Sequence, residues 1–98
     1  MGDRICLKFT DGMETSPTLY AHWEGANLLR LAEAFWDRYN GEIRAEPSNW
    51  MVNFIAYITE GKVRDGEYYL YPNDDSACSP DDNGYWVMNI NTGKIKKC

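Results

Sequence analysis

The chain carries one histidine, His22, in the stretch Leu19-Tyr20-Ala21-His22-Trp23-Glu24-Gly25, and three cysteines, Cys6, Cys78 and Cys98, far apart from one another. Histidine is the side-chain type that exchanges a proton near neutral pH, and a thiol within its reach could be activated as a nucleophile. If residues 4–9 and 18–23 form neighbouring strands, Cys6 and His22 can face the same way. That permits a Cys/His enzyme, but nothing in the spacing requires it. A histidine flanked by Trp and Tyr at a strand end is more often a hydrogen-bonded structural residue, so no catalytic residue is assigned. The cysteines form no C-x-x-C pair and are odd in number, a poor disulfide framework and a poor zinc site. With no apolar signal after Met-Gly-Asp-Arg, the expectation is a reduced, cytoplasmic protein.

Acidic residues offer a second chemistry. Residues 73–83 form a polar stretch containing Asp74, Asp75, Asp81 and Asp82, and clustered carboxylates suit hard cations. Set on the calcium-loop pattern, Ser79, Asp81, Asn83 and Gly84 take early positions, but Ile90 stands where the bidentate Glu belongs. A solvated loop is the better reading, and its length is itself a mild sign of a binding loop. The glycines form no phosphate-cradling cluster. No metal and no cofactor is expected.

Ten basic against fifteen acidic residues give a net charge of −5. That disfavours direct nucleic-acid binding, which draws its affinity from basic groups on phosphates. It suits a protein partner with a basic surface. Four Trp, seven Tyr and three Phe are more rings than a small core needs. Exposed Tyr and Trp are typical interface anchors, although cross-strand aromatic pairs also stabilise small sheets. Tyr20, His22, Trp23 and Tyr85, together with the four aspartates, are therefore the candidate binding residues.

The elements that must position these groups follow from periodicity. Residues 4–9 and 18–23 alternate as strands, pairing as a hairpin around Asp11-Gly12. Leu28, Leu31, Ala32, Phe35 and Tyr39 mark a helix over residues 26–39, stopped at Asn40-Gly41. Residues 49–60 predict a second helix, capped by Ser48, apolar on most of its circumference and so largely buried. Strands follow at 67–71, 85–90 and 94–97, the last two joined by an Asn91-Thr92-Gly93 turn. The order ββααβββ predicts one α+β domain over residues 1–98: an antiparallel sheet with both helices on one face. The longest apolar run, residues 50–58, is too short to span a bilayer, and no membrane association is expected.

Leu19-Tyr20-x-His22-Trp23-x-Gly25 before a Leu-rich helix resembles a motif of small proteins from phages, mobile elements and some archaea. Their C-terminal strands end in a turn similar to residues 89–95 here. The resemblance covers the first forty residues and the last hairpin and transfers no catalytic residue. It implies a small accessory protein that acts by binding, for instance as an acidic inhibitor of a host defence or nucleic-acid-handling complex. The leading expectation is thus a non-enzymatic interaction module. A small-ligand (nucleotide-like) binder walled by Tyr20, His22 and Trp23 is the alternative, and the Cys/His enzyme a second.

Overall fold

Alternation of apolar and polar side chains makes residues 5–10 a strand, and the same alternation on its neighbours gives that strand two covered edges. The computed structural model describes residues 3–72 and 83–98. Its elements are β1 (Ile5–Thr10), β2 (Thr18–Ala21), α1 (Asn27–Tyr39), α2 (Pro47–Thr59), β3 (Tyr68–Tyr71), β4 (Tyr85–Asn89) and β5 (Ile95–Lys97). The five strands form one sheet in the order β3-β2-β1-β4-β5. The chain is an α+β fold with the expected element order.

One feature of the expected sheet needs correction. β1 pairs antiparallel with β2 but parallel with β4, in the register Cys6↔Tyr85 to Thr10↔Asn89, so the sheet is mixed. Alternation says which residues share a face and is silent on strand direction. A parallel neighbour needs a long connection rather than a hairpin, and β4 is separated from β1 by most of the chain.

Both helices cover one face. Ile5, Leu7, Phe9, Leu19 and Ala21 from the sheet pack with Leu28, Ala32 and Phe35 of α1 and with Trp50, Met51, Phe54 and Ile58 of α2. Rings knit the layers together: Phe9 meets Phe54 edge-on at 5.4 Å, and Phe35 meets Trp50 edge-on at 5.2 Å. Such contacts add about 0.5–1.5 kcal/mol each beyond burial. The Trp50 indole N–H is buried and finds no acceptor among the described residues, a cost of about 1–3 kcal/mol set against that packing.

The expectation that α2 is buried around most of its circumference is also corrected, since Val52 is 67% exposed. Only the side carrying Trp50, Met51, Phe54 and Ile58 meets the core. Its start differs too: Glu46, in extended backbone, is the cap residue, no side chain caps the end, and Pro47 opens the first turn. Proline suits that position because its missing N–H would have no intrahelical partner. Ser48 therefore lies inside the helix rather than at its cap. No helix among the described residues is long and apolar enough to cross a membrane.

Trp36 of α1 joins the helix layer to the last hairpin by donating its indole N–H to the Ile90 carbonyl at 2.8 Å. Gly93, at φ 76°, closes that hairpin, and a Cβ there would lie 2.8 Å from the Trp36 ring. Gly93→Ala therefore meets both a left-handed backbone and a ring held on its far side. It is expected to lower stability by about 2 kcal/mol, whereas Val52→Lys on the exposed side of α2 should stay within about 0.5 kcal/mol. Denaturant unfolding of the two variants checks this.

Candidate functional site

The 19–25 stretch alternates until the turn, and each residue then takes a separate task. Leu19 and Ala21 enter the core, while Tyr20 faces the side of the sheet away from the helices. The Tyr20 hydroxyl and His22 Nδ1 lie 2.7 Å apart. Burial pushes the Tyr20 phenol above its usual value; the charge of the nearby Arg4 works against that, and the neighbouring Tyr71 adds to it. Which of the two groups donates in that contact is set by the imidazole tautomer.

His22 in turn supports Trp23, the two rings meeting edge to face at 4.5 Å. Trp23 is 55% exposed, so a large flat side chain is held in place and still offered to solvent. The backbone of the turn is fixed from two sides. The His22 carbonyl accepts Asp3 N–H at 2.8 Å, and His22 N–H donates to the Glu67 carbonyl at 2.9 Å.

Glu24 and Gly25 complete the turn. Glu24 accepts the Tyr68 hydroxyl at 2.6 Å and an Asn27 amide N–H at 3.1 Å, tying the start of α1 to β3. Burial first, and the Glu24 bond second, raise the Tyr68 phenol well above its ordinary range. Gly25 has φ 56° and donates its N–H to the Asp3 carbonyl, and a Cβ there would overlap the Asp3 carboxylate. Glycine is required at that point by both backbone and space.

Across the outer face of the sheet, register places Tyr69, Tyr20, Cys6 and Tyr85 in one row. Tyr20 also touches the rings of Tyr69 and Tyr71, at 5.6 and 6.2 Å. Of the expected binding residues, Tyr20, His22 and Trp23 thus come together, and Tyr85 stands on the same face beyond Cys6. Asp74, Asp75, Asp81 and Asp82 lie outside the described residues. Tyr68, Tyr69, Tyr71, Glu24 and Arg4 are not among the expected binding residues, and the structure brings them to Tyr20 and the turn that follows it. For the tyrosines the signal was their strand, but the pairing with β2 is a matter of register that the strand itself does not carry.

Two expectations about cysteine are corrected. Cys6 is fully buried and disulfide-bonded, whereas Cys98 is free and exposed; Cys78 lies outside the described residues. A sulfur in a disulfide offers no thiolate, so the pairing of Cys6 with His22 has no nucleophile to act through. The calcium-loop alignment fares no better at its described end. Asn83 donates its side-chain amide to the Asp3 carboxylate and to the Arg4 carbonyl, and Ile90 is buried in the core. Among the described residues no group of carboxylates, histidines and cysteines could hold a metal.

Two cavities described by the structure lie elsewhere. One of about 230 Å³ opens between the helices at Phe35, Tyr39 and Tyr57, and one of about 660 Å³ lies beside the last hairpin at Glu33, Val87 and Lys94. Neither is walled by Tyr20, His22 or Trp23. Comparison with protein-family models, with curated proteins and with solved structures finds no match.

Thiol titration of the denatured protein is expected to find one reactive thiol before reduction and three after it. Three without reduction would remove the Cys6 disulfide. Alkaline titration supplies a second check. Tyr20 and Tyr68 are both raised, so the stability they confer is full below the ordinary phenol value of 10.0 and is lost as pH climbs through the raised values. Tyr20→Phe and Tyr68→Phe should each remove one late-titrating phenol from the absorbance curve.

Proposed function

We propose that the chain is a non-enzymatic protein-binding module whose contact surface centres on Trp23. The observation that supports this is an exposed tryptophan braced by His22, which Tyr20 in turn holds. Bracing matters because an anchor that is already ordered loses little side-chain freedom on binding. Trp and Tyr are the residue types that most often dominate interface energies. Tyr69, 46% exposed and packed on Tyr20, extends the surface.

The net charge of −5 favours a partner that presents basic groups, and Asp74, Asp75, Asp81 and Asp82 would add to that attraction wherever they sit. The fuller reading is an acidic accessory protein of a phage or mobile element that occupies a basic surface of a host complex; it rests on the charge and on the motif resemblance. A cytoplasmic setting belongs to the same reading. The Cys6 disulfide speaks against it, because reducing compartments keep most thiols open.

Capture of partners from host-cell lysate by the wild-type protein and by Trp23→Ala, compared at two salt concentrations, tests the proposal. The expected outcome is a protein bound in stoichiometric amount, weakened by higher salt and by about 30-fold or more in the variant, the range of a dominant anchor. Unchanged binding by a folded Trp23→Ala would move the surface elsewhere.

A further inference from the structure

Among the described residues β3 is an edge strand, and its outer side carries a self-complementary pattern. Its register with β2 pairs Tyr68↔Ala21, Tyr69↔Tyr20, Leu70↔Leu19 and Tyr71↔Thr18. One step earlier, His22 N–H donates to the Glu67 carbonyl. Hydrogen-bonded and non-hydrogen-bonded pairs alternate along an antiparallel ladder, so Glu67, Tyr69 and Tyr71 direct their backbone groups toward β2. Tyr68 and Leu70 direct theirs away from it. Pro72 takes the next outward position, where a missing N–H costs nothing to the β2 ladder.

The two outward-facing residues flank Tyr69 symmetrically. A two-fold axis through Tyr69 would set Tyr68 of one chain opposite Leu70 of another and exchange four backbone hydrogen bonds. The side chains suit that arrangement. Leu70, 55% exposed on the helix side of the sheet, would lie beside Tyr68 of the second chain. Tyr69, 46% exposed on the other side, would meet its own copy, an aromatic cross-strand pair of the favourable kind.

Charge does not oppose the contact. In this register Glu67 falls opposite Tyr71 rather than another acid, and its carboxylate is already 3.3 Å from the Arg64 guanidinium. Natural edges are commonly guarded by lysine, bulges or proline within the strand. The sequence Tyr68-Tyr69-Leu70-Tyr71 has none of these, and the other edge of the same sheet, β5, carries Lys96 and Lys97.

We propose that β3 is a homodimer seam, on which a second copy of this chain pairs antiparallel about Tyr69 to make one continuous ten-stranded sheet. The seam shares Tyr69 with the surface centred on Trp23 but needs neither Trp23 nor a foreign partner, and the association of the chain with itself tests it alone. A four-residue seam falls short of the ~1,200 Å² buried by stable complexes, so the dimer is weak and concentration-dependent.

Sedimentation velocity over a rising concentration series of the full chain in a Cys98→Ser background reads the association directly. Leu70→Pro removes one outward N–H and leaves the β2 ladder intact, and it is expected to raise the dimer dissociation constant at least tenfold while circular dichroism is unchanged. Tyr69→Cys places two thiols at a non-hydrogen-bonded pair, where Cα atoms stand about 4.5 Å apart, and should give a covalent dimer on mild oxidation. A wild-type chain that stays monomeric at the highest concentration overturns the proposal. So does a dimer that forms equally in folded Leu70→Pro, or one in which the position-69 thiols fail to cross-link, since either places the contact on another surface.

Discussion

Everything in this fold leans on β1. It is the middle strand of the five, and it is covered on both faces: Ile5, Leu7 and Phe9 under the helices, Cys6 on the opposite side, all fully buried. Its Phe9 touches both Trp50 and Phe54 of α2. Removing β1 would leave β2–β3 and β4–β5 as two separate two-stranded pieces, and such ribbons are marginal in water. The backbone observes the same priority. Ser16, buried just before β2, donates its N–H to the Phe9 carbonyl and accepts the Phe9 N–H on its hydroxyl. The end of β1 is thereby closed where Pro17 could donate nothing.

What could be read from the sequence was mostly periodic. Leu28, Ala32 and Phe35 repeat at helical spacing and sit in the core; Ile5, Leu7 and Phe9 alternate and do the same. A period reports on one element at a time, and the features it missed all join two elements. The parallel β1–β4 pair depends on where the chain returns, and the disulfide at Cys6 depends on a distant sulfur. Val52 shows the limit from the other side. It is as apolar as Ile58, yet which of them meets the sheet is decided by the roll of α2 against the aromatic cluster, a matter of packing. Ser48 looked like a cap because of its type, but Pro47 had already set the first turn one residue earlier.

The candidate site follows the same division. Tyr20, His22 and Trp23 were marked by their types and adjacency, and the structure gives that adjacency a mechanism: phenol to imidazole to indole, each fixing the next. The bracing network around them comes from residues with no local mark. Asp3 reaches in from the chain's start, Glu67 from the approach to β3, and Tyr68 from β3 itself, where its hydroxyl reaches Glu24. A turn held from three distant segments is rigid without being part of any regular element. That suits a recognition surface, in which precision is needed and burial is not.

The parallel pairing of β1 with β4 has a consequence during synthesis. A chain leaving the ribosome presents β1 and β2 early, and α1 and α2 follow soon enough to shelter their apolar face. The other flank of β1 stays unpaired until residues 85–89 have emerged, because only β4 satisfies it. For most of translation, therefore, the most hydrophobic strand of the sheet carries an open row of amide and carbonyl groups, the feature that recruits foreign strands and chaperones alike. Speed of elongation through the second half of the message thus sets how long that vulnerable flank is exposed. A slow codon between α2 and β4 would be felt as lost yield rather than as altered structure.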